Sequence, residues 1–409
     1  MISTLVLLIG FIVTITCYYI GNFKLIFPSF ILSATITFQL LLIHLILIFQ
    51  PYYLYEPSDE SYFVYSCLLL IVLISAIIGI ATRKIKPIEL PRSNFTKKGV
   101  INFILILSTL SAPFAMMKAL SIAQEVGIIN IYISLRTGIN SQEYSIGVFA
   151  YFSTPLIVII LRLFQDKGIY TKKRQNILLI YSILLCVFYM TINTGRTGYL
   201  MLITAILGVK YSKENISFRS LFFSITGFIF LFFTFGLFSR KGGSVENTLK
   251  ENLLGLFENL SQYIVTPFVA FSIYLEDYFF RPSLLFGQNT FRIFYAVLGK
   301  FSDKVEANEV VQEFVQTPYA TNVYGALHYY ISDFGIPYGL FISLLIFIFL
   351  QWIYYNRSNQ DIQLLYSLTI YYWIMFIFQD QLLSILSTWI QLFLYIKLTN
   401  GKKSRHNHS

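Results

Sequence analysis

The stretch FILSATITFQLLLIHLILIF, residues 30–49, contains no Lys, Arg, Asp or Glu. As a helix rising 1.5 Å per residue it spans about 30 Å, the thickness of a bilayer's hydrocarbon core. Comparable runs recur along most of the 409 residues. A chain carrying them must either bury nearly everything it owns or use lipid as its solvent. Composition decides between these, because 12% of residues are charged and 56% hydrophobic, whereas soluble domains carry about 25% charged residues. Lipid leaves no backbone polar group a water partner, so only helices and closed barrels cross it, and runs of this length are helices. The expected fold class is all-α, a polytopic membrane protein of about eleven spans, with ten and twelve the neighbouring counts.

Hydropathy places the spans at 2–20, 27–49, 63–82, 100–121, 147–164, 176–194, 198–211, 220–238, 337–355, 363–379 and 382–396. The first lacks a basic leader and a small-residue cleavage site, which predicts a retained helix and not a signal peptide. Cys17, Cys67 and Cys186 all fall within spans and read as small buried hydrophobes. Neither a disulfide framework nor a metal-ligand spacing is present.

Lys and Arg prefer cytoplasmic loops. Segment 83–99, RKIKPIELPRSNFTKKG, is strongly basic, and 165–175, 210–219 and 397–409 add further cations. Between them lie neutral or acidic segments, such as 50–62 with Glu56, Asp59 and Glu60. The alternation predicts an outer N-terminus and a cytoplasmic C-terminus. It also accounts for most of the net charge of +10, which therefore argues for topology and anionic lipid contact and not for a nucleic-acid partner. The expected organisation is spans 1–8 over 1–238, a large outer loop over 239–336, spans 9–11 over 337–396, and a basic cytoplasmic tail over 397–409. Within the loop, 252–279 is rich in Leu, Phe and Tyr, and Pro267 predicts a break into two short interfacial helices; a single additional span is the competing reading, which the charge rule disfavours.

Ionisable groups on the outer side are the candidates for chemistry. Arg196 lies in TINTGRTGYL, residues 191–200, between two spans too short to leave more than a tight turn. A charge near membrane depth is costly, so Arg196 is either a snorkelling helix-end residue or a ligand for phosphate, which guanidinium binds bidentately. Arg136 lies in YISLRTGINSQEYSIG, Arg240 and Lys241 in FSRKGG, and Arg281 and Arg292 in the long loop. Several such cations around one outer cavity would suit a diphosphate. The stretch PYATNVYGALHYYISDFGIPYGL, residues 318–340, supplies Asn322, Tyr324, Tyr329 and Tyr330 as sugar-binding groups, either as stacking rings or as an interfacial aromatic belt. His328 or Asp333 is suited to act as general base on a sugar hydroxyl. Each has a plainer reading: His328 as a hydrogen-bonding residue, and Asp333 as the cap of a helix starting near Pro337. No Walker A stretch and no paired acidic metal motif occurs, so neither ATP, a metal nor another cofactor is expected.

The whole pattern resembles the Wzy-type oligosaccharide repeat unit polymerases, which build O-antigen and capsular polysaccharide. The likeness rests on TGRTG at an outer hairpin, SQYIVTPFVAF in the loop, NVYGALHYYISDFGIPYG entering a late span, and Arg136 spaced from Gly147. It implies a GT-C-like glycosyltransferase with a large external loop in the bacterial cytoplasmic membrane. The substrates implied are undecaprenyl-diphosphate-linked oligosaccharides: a growing chain as donor and a single repeat unit as acceptor. Arg196, Arg136, Asp333 and His328 would take catalytic roles. Arg240, Lys241, Arg281, Asn322, Tyr324, Tyr329 and Tyr330 would bind substrate. Membrane lipid, a chain-length regulator and a flippase of the same pathway are the expected partners. An O-antigen ligase and a lipid-sugar flippase are the alternatives, and the gathering of charge at one face disfavours the flippase.

Overall fold

A computed structural model describes residues 2–50, 52–83, 95–127, 131–140, 144–166, 168–194, 197–212, 216–238, 248–278, 286–302, 312–317 and 319–401. The chain is predominantly helical. In order the helices are α1 (Ile2–Ile20), α2 (Pro28–Phe49), α3 (Asp59–Arg83), α4 (Lys98–Val126), α5 (Ile131–Asn140), α6 (Ser153–Gln165) and α7 (Lys172–Ile192). They continue as α8 (Thr197–Tyr211), α9 (Phe218–Phe238), α10 (Leu249–Tyr278), α11 (Arg292–Leu298), α12 (Ala326–Tyr355), α13 (Gln360–Met375) and α14 (Leu386–Leu398). A helix coincides with every span expected from hydropathy. Among the described residues, seven stretches are long and apolar enough to cross a membrane: α1, α2, most of α3, α4, Gly147–Gln165, α7 and α12. The chain is thus a multi-pass helical membrane protein. Its outward faces agree with lipid as solvent: Leu5, Leu8, Ile12 and Ile15 of α1 and Phe103, Ile106, Leu110 and Phe114 of α4 are exposed.

The chain divides into two compact units. The first comprises Met1–Ile88, Leu260–Asn356 and Thr369–Trp389. In it α1 packs closely on α2, because Gly10 lacks the Cβ that would lie 2.7 Å from Thr37 Oγ1. Thr14 and Thr37 hydroxyls meet there at 3.0 Å. Ser29 of α2 bonds Ser75 of α3 at 3.4 Å and receives the Gln351 amide of α12. Small and polar residues at helix crossings are the usual glue where lipid supplies no hydrophobic drive between helices.

Two expectations for the outer loop are corrected. First, α10 runs through Pro267 as one helix instead of breaking into two interfacial pieces. Val265, Phe268, Val269, Ala270 and Phe271 around the proline are buried, and this packing outweighs the loss of one helical hydrogen bond. Gln39 Nε2 donates to Ile264 O at 2.7 Å, one turn before the proline, where a side-chain donor can serve a disturbed carbonyl ladder. Second, helix begins at Ala326 and not near Pro337. Gly335, at φ 77° and ψ 167°, divides α12 into an N-terminal and a C-terminal part. That backbone region is open essentially to glycine alone.

The second unit comprises Glu89–Asn259, Arg357–Leu368 and Ile390–Ser409. Here the basic segments meet. Phe95–Thr96 pairs antiparallel with Asn400–Gly401, Thr96 Oγ1 donates to Asp166 at 3.2 Å, and Arg357 Nε donates to Ser212 O at 2.9 Å. The alternation of charge expects these segments on one face. Arg162 of α6, 1% exposed, is at the centre. Its guanidinium reaches Asp361 at 2.5 Å, Ile396 O at 2.8 Å, Gln165 Oε1 at 3.1 Å and Thr399 Oγ1 at 3.2 Å. Asp361 also accepts from Lys397 at 3.1 Å and Asn400 at 2.7 Å.

Candidate functional site

The first unit gathers its polar groups around the N-terminal part of α12, ALHYYISDF (326–334). Gly325 precedes it at φ 78°. A Cβ on Gly325 would sit 3.4 Å from Ile377 O, so the 376–378 segment can approach closely. That segment accepts the first amides of the helix: Gly325 N–H donates to Phe378 O at 3.1 Å and Ala326 N–H to Phe376 O at 2.8 Å. The carbonyls take the place of a side-chain cap for these donors.

Ala326 through Asp333 are all buried. His328 lies between aromatic rings. Tyr324 stacks on it at 4.6 Å and 21°, and Tyr274 of α10 meets it edge-on at 4.4 Å. The buried Nδ1 of His328 has no hydrogen-bond partner among the described residues. Leaving a buried polar atom unpaired costs about 1–3 kcal/mol, so such an atom calls for an explanation.

Asp333 is not the cap of a following helix. Its carboxylate accepts from Thr290 N–H at 2.6 Å, Asn289 N–H at 3.1 Å and Asn289 Nδ2 at 3.1 Å. Thr290 Oγ1 donates to Tyr329 O at 3.2 Å, and Phe286 and Phe291 pack on Phe334. Asp333 therefore pins the turn that leads into α11. An Asp333→Ala chain is expected to lose about 2–3 kcal/mol of stability, since two backbone donors lose their acceptor. Asp333→Asn, which keeps one acceptor oxygen, is expected to lose about half as much. Thermal unfolding of the detergent-purified protein checks both values.

The tyrosines divide by role. Tyr330 is fully buried and donates to Asp380 Oδ1 at 2.8 Å, so it is not free to stack on a sugar as the sequence suggested. Tyr372 lies 3.3 Å from the same hydroxyl. The Tyr329 hydroxyl has Gln312 and Gln379 as hydrogen-bonding neighbours and feels the charges of Asp380 and Arg292. Tyr324 is half-buried and donates to Glu313 O at 2.9 Å. Asn322 is half-buried.

Asp380 is the residue that sequence reasoning passed over. It is fully buried and accepts from Leu382 N–H at 3.1 Å and Ser384 N–H at 2.6 Å as well as from Tyr330. Burial pushes its carboxyl above the ordinary range, against the hydrogen bonds that lower it. A carboxylate flanked by FQ and QL in a short polar break between two apolar runs was the available signal.

The structure thus brings together Tyr324, His328, Tyr329, Tyr330 and Asp333 and adds Tyr274, Asn289, Thr290, Arg292 and Asp380. Arg136 belongs to the other unit, half-buried on α5. Arg196, Arg240, Lys241 and Arg281 lie outside the described residues. Helix α7 ends at Ile192 and α8 starts at Thr197. Gly198 faces Met190, with room for a Cβ only 3.3 Å from Met190 Cγ. No group of three metal-ligating side chains occurs among the described residues. Comparison with known protein families, curated proteins and solved structures finds no match to this chain.

Proposed function

We propose that this chain is a polysaccharide polymerase of the Wzy type, a GT-C-like glycosyltransferase of the bacterial cytoplasmic membrane acting at its outer face. The observation that carries the reading is the unpartnered Nδ1 of His328, buried among tyrosines at the outer end of α12. A hydroxyl-rich substrate would supply the missing partner. The acceptor's hydroxyl oxygen attacks the anomeric carbon of the donor chain. The bond from that carbon to the lipid diphosphate breaks, and the hydroxyl proton passes to His328 Nδ1 and from there to solvent. Tyr324 and Asn322 hold sugars, while Asp333 positions the loop bearing Arg292. The cations Arg196, Arg136, Arg240, Lys241 and Arg281 are the candidates to stabilise the departing diphosphate, a role that guanidinium performs without metal.

Deletion of the gene is expected to collapse a glycan ladder to a single repeat unit, restored by the wild-type chain on a plasmid. A full-length ladder retained on its carrier lipid would instead indicate a ligase, and an unchanged ladder on its normal acceptor would sink the proposal.

A further inference from the structure

The second unit holds an apolar groove of about 490 Å³, within the range of about 300–1,000 Å³ common for small-molecule sites. Phe103 and Leu107 of α4, Val148 and Phe152 before α6, and Tyr395 and Leu398 of α14 line it, and no charged side chain does. Gly99 stands at one end, and a Cβ there would meet nothing within 4 Å. The charges begin at the adjacent residue. Lys98 Nζ lies 5.6 Å and the Arg174 guanidinium 4.9 Å from the centre of the Tyr170 ring. Tyr170 is held beside this end by a 2.8 Å hydrogen bond to Asn102 Oδ1. Lys97, Lys172 and Lys173 are exposed nearby in sequence; among the described carboxylates close by, Asp166 is engaged by Thr96 and Asp361 by Arg162, Lys397 and Asn400.

A groove without charge that ends at paired cations is complementary to one chemical class: a molecule with a hydrocarbon tail and an anionic phosphate head. We infer that this groove binds an anionic phospholipid of the cytoplasmic leaflet, with an acyl chain along Phe103 and Leu398 and its phosphate at Lys98 and Arg174. The charge alternation of the sequence expects the basic segments 83–99 and 165–175 that end this groove in the cytoplasm, so the lipid is taken as a resident of the fold and not the substrate. Each cation near a membrane surface contributes enough to shift anionic-lipid affinity several-fold.

The test is native mass spectrometry of the delipidated full-length protein, titrated with dioleoylphosphatidylglycerol or dioleoylphosphatidylcholine. One phosphatidylglycerol is expected to bind at least tenfold (~1.4 kcal/mol) more tightly than phosphatidylcholine. The double substitution Lys98→Gln and Arg174→Gln is expected to remove that preference. Gly99→Phe, which enters open space, is expected to weaken binding about tenfold by blocking the groove. Equal binding of the two lipids by the wild-type chain overturns the inference without recourse to any variant. A preference untouched by Gly99→Phe places the lipid on the surface and overturns it too. So does displacement of the bound lipid by an equimolar polyprenyl diphosphate, which would give the groove to the substrate.

Discussion

Replacing Arg162 by methionine while Asp361 stays is expected to destabilise the protein by about 3 kcal/mol, the lower end of the cost of breaking a buried pair, because Asp361 keeps the half-exposed Lys397 as a counter-charge. The guanidinium uses four of its five N–H donors here, on a carboxylate, a carbonyl, an amide oxygen and a hydroxyl. Methionine fills much of the volume and serves none of them. The ion pair itself is a poor source of net stability, because desolvating both charges offsets their attraction. The double variant Arg162→Met with Asp361→Leu is therefore expected to recover more than half of the loss. Thermal unfolding in one detergent, single against double variant, measures this, and a double variant as unstable as the single one refutes the argument. Acid gives a second readout. Burial raises the Asp361 carboxyl, but the hydrogen bonds and charges of Arg162 and Lys397 outweigh it and hold the group below its ordinary value. A depressed carboxyl stabilises the fold above the unfolded value of about 3.9 and loses that contribution as pH falls through its folded value. The gap between wild type and the double variant is expected to hold at neutral pH and to close only below about pH 4.

Under the proposed polymerase function, an Arg196→Ala chain is expected to make only single repeat units at a normal protein level, a loss of about a hundredfold or more in chain growth. In the proposed reaction the departing diphosphate gathers negative charge, and a guanidinium beside it would act on the transition state more than on the bound donor. Arg196→Lys keeps the charge but not the planar pair of donors, and is expected to restore only part of the activity. The hairpin itself tolerates the change on physical grounds, because α7 and α8 are joined by Gly198 against Met190 and by the Thr191–Tyr199 hydroxyl bond at 2.8 Å. A wild-type ladder from Arg196→Ala would remove Arg196 from the site and leave the cations of the long loop to carry it.

The helices were readable because each is a run of apolar residues, and lipid leaves such a run no other backbone solution. The α7–α8 turn was readable for the same reason: two short runs left no residues to spare between them. What pattern could not give was pairing over distance. Arg162 lies near the end of a span, and nothing local points from it to Asp361, 199 positions on. Asp333 was read against its sequence neighbours, as base or cap, whereas its partners lie 43 and 44 positions earlier in a turn without any periodic signal. Pro267 misled because its local penalty is fixed while the packing around it belongs to the tertiary fold. Tyr330 misled in the opposite direction. A tyrosine in an outer segment suggests a surface ring, and only the location of Asp380 shows that its hydroxyl is already engaged.

Gly335 gives α12 a property that an unbroken helix of thirty residues would lack. On its N-terminal side every residue from Ala326 to Asp333 is enclosed by protein. On its C-terminal side Phe341, Leu345 and Phe349 form an exposed apolar stripe opposite the buried Ser343, Phe347 and Leu350. A continuous helix would carry one angular pattern through both stretches and commit the same faces to lipid along its length. The left-handed step at residue 335 resets that phase, so a single element serves two surroundings in series: a stretch enclosed by protein before the glycine, and a stretch with one exposed apolar face after it.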